Sequence, residues 1–193
     1  SGNSKQIIKN VKIYQTVEKA LSSFNYVFAT SNRKRFLNKP FYNNFKKIIN
    51  KVPLNKKIAI VFGPENSGLS NEDLMLCDSI INIELSKSNP SLNLSHAVLL
   101  TTYKWTEIIK NKNITNKNFN NDLSNIASKK EFLNFMLYLK SQLQNVNFLY
   151  PKHKSKSMFN NIQTMFLRAS LSKSEIQTLW GMIKKLSKTS KNT

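Results

Sequence analysis

Residues 58–62, Ile-Ala-Ile-Val-Phe, constrain this chain more than any other stretch. A half-exposed strand alternates apolar and polar residues, whereas an unbroken apolar run of this length reads as a parallel strand buried on both faces. It passes directly into Gly63-Pro64-Glu65-Asn66-Ser67-Gly68, a turn sequence with two glycines. Ser70-Asn71-Glu72-Asp73 then opens a helix, with Ser70 as cap and two acids in the first turn to suit the positive helix end. A second short apolar strand is expected at 80–85, a polar loop at 86–91, and a helix over 92–105, where the apolar period is helical. Strand, glycine turn, helix, strand, loop, helix is an α/β order, and ligands of such sheets sit beyond the strand C-termini. Those ends are the turn at Gly63 and the loop at 86–93.

The flanking sequence divides the chain. At 193 residues it is long enough for one ordinary domain and a small second one. Upstream, Ile7, Ile8, Val11, Ile13 and Val17 form an apolar set, with residues 11–14 as a short strand. Thr16 caps a helix, and residues 26–29 make a further strand that ends in Thr30-Ser31-Asn32-Arg33-Lys34-Arg35. Residues 42–50 read as a helix. Residues 111–125 are rich in Asn and poor in apolar groups, as in a linker. Beyond it the pattern is wholly helical. Ser128 with Glu131 and Ser172 with Glu175 are capping boxes, each followed by apolar residues at helical spacing, and Tyr150-Pro151 breaks the run between them. Three amphipathic helices make a small bundle. The expected division is therefore an α/β domain over 1–110, a linker over 111–125 and a helical unit over 126–193.

A net charge of +20, from 30 Lys and Arg against 10 Asp and Glu, points to a polyanionic partner, with nucleic acid first. A generally basic, lysine-rich surface explains the same number without a partner. Only Arg33, Arg35 and Arg168 are arginines, so bidentate phosphate or base contacts would be sparse. The single cysteine, Cys77, excludes an internal disulfide and suits a reducing cytoplasm. No apolar run has the length of a membrane span, the start lacks a signal-peptide pattern, and no His, Cys and acid cluster has metal-ligand spacing. The expectation is a cytoplasmic protein with no membrane partner and no metal.

The stretch FGPENSGLSNEDL, followed after one strand by PSLNLSHAV, resembles the second and third motifs of the SpoU branch of the SPOUT methyltransferases. FLYPKH and LRASLSKSEIQTLWGMI further resemble the C-terminal extension of the TrmJ-type tRNA enzymes within that branch. The resemblance implies a parallel sheet with helices and a trefoil knot, followed by a helical tRNA-binding extension. It implies a homodimer that moves a methyl group from S-adenosylmethionine to a ribose 2′-hydroxyl of tRNA, with rRNA a weaker candidate. The target it suggests is a pyrimidine in the anticodon loop, of the position 32 type. A non-catalytic RNA-binding homologue is the alternative.

Site residues follow from the same match. For the cofactor it implies Thr30, Ser31, Asn32, Gly63, Ile83, Pro90, Ser91 and Leu92; for the reaction Glu65, Ser91 and Asn93. RNA contacts are expected at Arg33, Arg35, Lys152 and Lys154. Each has a plainer reading beside it. The glycines also serve a tight strand-to-helix turn. Glu65 also suits the start of a helix, and Ser91 and Asn93 are both good helix caps. The basic runs are also ordinary solvated loops. His96 reads as a helix residue with no role in the match. The family's first motif, which carries an Asn and the Arg proposed to activate the 2′-hydroxyl, has no counterpart before Tyr14, and no Arg precedes Arg33. The first α/β unit is therefore expected to be absent from this stretch, leaving the methyltransferase domain incomplete at its N-terminal side.

Overall fold

Tyr26–Thr30 form the strand around which the sheet is built (β1). The computed structural model describes residues 4–32, 39–43, 45, 48, 52, 55–83, 92–115 and 125–189, with only the backbone at 4, 111–115 and 188–189. Two short helices precede β1, Ser4–Lys9 (α1) and Val17–Leu21 (α2). Phe41–Tyr42 (β2), Ile58–Val61 (β3), helix Asn71–Leu76 (α3) and Ser79–Ile81 (β4) complete the α/β half. Leu94–Thr115 (α4) follows, then the bundle helices Lys129–Asn145 (α5), Lys152–Ala169 (α6) and Lys173–Thr189 (α7).

The four strands are all parallel in the order β2-β4-β1-β3. β1 is central, and its side chains alternate into two cores. Tyr26 and Phe28 pack on one face with Ile81, Ile108 and Ile126, while Val27 and Ala29 pack on the other with Leu74, Cys77 and Ile80. A strand covered on both faces is the reason for its unbroken apolar sequence. β3 carries the same kind of sequence yet is only half-buried throughout, because it lies at the edge of the described sheet. The expectation of a fully buried strand fails there for that reason.

Other local readings hold or shift in instructive ways. Ser70 Oγ accepts from Asp73 N–H at 3.0 Å and Asp73 accepts from Ser70 N–H at 3.0 Å, the reciprocal box expected at the start of α3. Ser128 with Glu131 and Ser172 with Glu175 do the same for α5 and α7. Residues 11–14 form no strand: they run as irregular chain with Ile13 94% exposed, because no strand among the described residues lies alongside to accept their hydrogen bonds. Tyr42, expected to open a helix, instead ends β2, held by Asn82 N–H donating to its carbonyl at 2.9 Å. α4 continues through Thr115, into the segment expected as linker.

The bundle buries Phe132, Phe135, Met136, Leu139, Leu167 and Ile176 in its own core. It meets the α/β half at one end of α5. Lys129, nearly fully buried, forms a short salt bridge to Asp78, whose second oxygen accepts from Val27 N–H at 2.7 Å. Lys129 and Lys130 N–H donate to the carbonyls of Phe24 and Ser22, and the Asn25 amide donates to Ile126 O at 2.9 Å.

Candidate active site

The C-terminal ends of β1, β3 and β4 open on one cavity of about 410 Å³. Parallel strands direct their carboxyl ends and following loops to the same edge, so residues distant in sequence converge there. Thr30 ends β1, and its hydroxyl donates to Val61 O at 3.0 Å, tying two strand ends together. Ser31 N–H donates to Ile81 O at 3.0 Å, tying in the third. Thr30, Ser31, Asn32, Gly63, Ile83 and Leu92, six of the residues expected around a cofactor, line this cavity together with Glu65.

The turn beneath the cavity needs its glycines. A β-carbon on Gly63 would stand 2.3 Å from Gly68 C and 2.3 Å from Leu69 N, a backbone overlap that no rotamer relieves. Gly68 has φ +67°, and its N–H donates to Pro64 O at 2.8 Å, closing the turn. The turn-shaping reading of both glycines is therefore correct. It is compatible with a ligand role, since the same loop forms the cavity wall.

Glu65 is the one ionisable group among the described lining residues. One carboxylate oxygen accepts from the Asn93 amide nitrogen at 3.1 Å. The Asn93 amide oxygen accepts from Ser95 N–H at 2.9 Å and from the Ser95 hydroxyl at 2.5 Å. Asn93 thus caps α4 and also reaches across to the turn after β3. The Ser95 donors fix which end of the amide is oxygen, leaving the nitrogen aimed at Glu65. Ser95 was not singled out in the sequence, though its place two residues past a capping Asn is the signal.

Asn82 was also missed. It follows β4 directly and lines the cavity; its amide donates weakly to Asn43 at 3.4 Å while its buried Oδ1 has no partner among the described residues. Its position at a strand end was the available signal. Pro90, Ser91, Arg33 and Arg35 lie outside the described residues. Lys152 and Lys154 sit in the first turn of α6, exposed, and Lys152 lines a second cavity instead. His96 is exposed on α4. Among the described residues no three His, Cys, Asp or Glu are grouped to hold a metal, and no helix is long and apolar enough to cross a membrane.

Beneath the sheet, burial dominates two titrations. Lys39 donates to the carbonyl of Cys77 at 2.5 Å and to that of Met75 at 3.5 Å, at the end of α3, and burial lowers its pKa to about 8. Burial raises the Cys77 thiol to about 12, which removes it as a nucleophile.

Comparison with known proteins agrees with this geometry. The profile of the SpoU rRNA methylase family matches residues 1–103, and that of the tRNA methyltransferase TrmJ C-terminal domain matches residues 130–193. The tRNA (cytidine-2′-O-)-methyltransferase TrmJ of Methanocaldococcus jannaschii is 29% identical over 94% of this chain and 78% of its own. The tRNA (cytidine/uridine/adenosine-2′-O-)-methyltransferase TrmJ of Pseudomonas aeruginosa is 26% identical over 96% of this chain and 75% of its own. The crystal structure of TrmJ from Z. mobilis superposes with a TM-score of 0.79 at 25% identity, over 95% of this chain and 76% of that one.

Proposed function

The chain belongs to the SpoU rRNA methylase family and carries a TrmJ-type C-terminal domain, and from that premise we propose that it methylates a ribose 2′-hydroxyl of tRNA with S-adenosylmethionine as donor. The observation that carries the reading is the single cavity where three strand ends, the Gly63 turn and the Asn93–Glu65 pair converge. The residues present fit the cofactor. The walls at Phe62, Ile83, Leu92 and Leu94 offer apolar surface to an adenosine.

The bound donor supplies an electrophilic methyl on a sulfonium; transfer forms an O–CH₃ bond, breaks the S–CH₃ bond and releases the hydroxyl proton. The protein's work is to place the 2′-oxygen in line and give that proton an acceptor. Glu65, held by Asn93, is the carboxylate at the cavity edge that steadies this geometry, and the Asn93 amide orients the ribose or its phosphate. Gly63 and Gly68 keep the wall free of side chains at the turn.

The remaining parts of the reading follow the family. The chain folds as a methyltransferase domain whose last helix runs to Thr115, joined by a shorter linker than expected to a tRNA-binding unit over 126–193, with a knotted cofactor pocket. The enzyme is cytoplasmic, and its target is an anticodon-loop pyrimidine of the position 32 type. It works as a homodimer: α4 lines the cavity with Leu94 and Ala97, while its next turns expose Val98, Leu99, Leu100 and Tyr103, an apolar face suited to a second copy. The test is methyl transfer from labelled S-adenosylmethionine to bulk tRNA, followed by mapping of 2′-O-methylated nucleosides. Label in a 2′-O-methylpyrimidine is expected; tRNA binding without transfer would leave a non-catalytic RNA-binding protein.

A further inference from the structure

A second cavity, larger than the first at about 1080 Å³, lies where the two halves meet, between α3 and the bundle helices α5 and α6, with α2 at one end. Five lysines line it: Lys19, Lys130, Lys140, Lys152 and Lys156. The acids there are Glu18 and Glu72, and Lys156 already binds Glu72 at 2.7 Å. The rest of the lining is different in kind. Leu133, Leu137 and Phe159 supply apolar surface, and Asn134 and Asn160 supply amides. Gln163 Nε2 donates to Met75 O at 3.1 Å, so the lining is stitched across the two halves.

We infer that this groove holds a single-stranded stretch of the RNA substrate, with phosphates on the lysines and bases against the apolar lining; the inference rests on the function proposed above. Three observations support it. Cations beside an apolar, amide-bearing lining match a strand that offers charge and exposed base faces together. A duplex keeps its base faces stacked inside and would bridge the lysines without covering Leu133 and Leu137. The start of α3 lies between the two cavities: Leu69 lines the first, and Asn71 and Glu72 line the second. The Lys156–Glu72 pair is exposed on both sides and holds little back, so a phosphate can replace the carboxylate.

The test compares two triple variants with the wild type by tRNA binding across a salt series. Lys19→Ala/Lys130→Ala/Lys140→Ala removes groove charge; Lys9→Ala/Lys57→Ala/Lys110→Ala removes the same charge from exposed positions elsewhere. The groove variant is expected to bind at least tenfold more weakly, with the slope of log affinity against log salt reduced by about two, since each single-strand phosphate contact contributes about 0.7. The outer variant should shift affinity by less than about threefold, and both should bind S-adenosylmethionine and melt like the wild type. Equal losses in the two variants would show a diffuse field rather than a groove, and an unchanged groove variant would remove the assignment outright. A wild type that binds tRNA through these lysines but transfers no methyl would overturn the proposed reaction and leave the groove standing. A wild type that binds no tRNA would overturn the groove.

Discussion

The α/β half and the helical half bury comparable side chains by different means. In the bundle each helix announces its buried stripe locally: Phe132, Phe135, Met136 and Leu139 recur at helical spacing behind a capping box, and all four are buried. In the sheet, burial depends on neighbours far away in sequence. β1 and β3 have similar apolar sequences, yet β1 is covered on both faces and β3 lies half-open at an edge. Local periodicity thus specifies the bundle, while long-range pairing specifies the sheet and the cavity at its edge. The cavity exists only because three strand ends arrive together.

The comparison can be broken at its seam. Lys129→Met leaves Asp78 partly buried without its cation, a loss of about 3 kcal/mol. If the halves are one cooperative unit, thermal unfolding stays a single transition at lower Tm; two separated transitions would show that the seam is their main coupling. Gly63→Ala tests the reacting half alone. The 2.3 Å overlap requires backbone movement, costing about 2 kcal/mol, and methyl transfer should fall by more than tenfold while RNA affinity persists. Parallel loss of both would mean that the turn also shapes the RNA surface.

Asn93→Ala separates two roles of one residue. Loss of the cap costs about 1 kcal/mol, whereas transfer should fall about 100-fold through the lost positioning of Glu65. Equal, modest losses in melting temperature and activity would return Asn93 to capping alone. The smallest effect is electrostatic. Lys39 is protonated more weakly in the folded protein than unfolded, so between about 8 and its ordinary 10.5 the unfolded chain holds more protons and stability rises with pH. The Cys77 thiol, and the Tyr26 hydroxyl that burial and Asp78 raise to about 12, act oppositely above pH 9 and 10. Denaturant melts should therefore gain about 1 kcal/mol from pH 8 to 9 and lose stability beyond; Lys39→Met should abolish the gain. A gain surviving that substitution would assign it to another group.

Much of this was readable before any coordinates. Three capping boxes, the helices behind them and strands β1 and β3 follow from period and cap chemistry, which act within a few residues; the strand expected over 80–85 is the shorter β4, with Asn82 and Ile83 already outside it. The Gly63 turn and the loop before α4 were legible as strand ends, and Glu65 and Asn93 as separate candidates by likeness to the family, whereas their contact with each other appears only in the fold. What escaped has one cause, dependence on distant partners. Two residues, Phe41 and Tyr42, become a strand only because β4 lies beside them. Residues 11–14 have a strand-like sequence and nothing to pair with among the described residues. Lys39 and Lys129 are indistinguishable in the sequence from the chain's other lysines, yet both are buried against groups supplied by residues 75–78.

The strand order has a consequence for how the protein is made. β1 emerges from the ribosome before both of its neighbours: Tyr26 must wait for Ile58 and Phe28 for Ser79. Until then its Val27 and Phe28, fully covered in the finished sheet, have no proper place to hide. Hairpins zip as they are synthesised, but a parallel sheet in this order cannot, and such waiting intermediates are those that aggregate or engage chaperones. The reaction cavity is later still, because its wall at Leu94 and Ala97 follows every strand. Translation pausing after β4, or a chaperone holding β1 until then, would raise the yield of active protein without altering one contact in the native state.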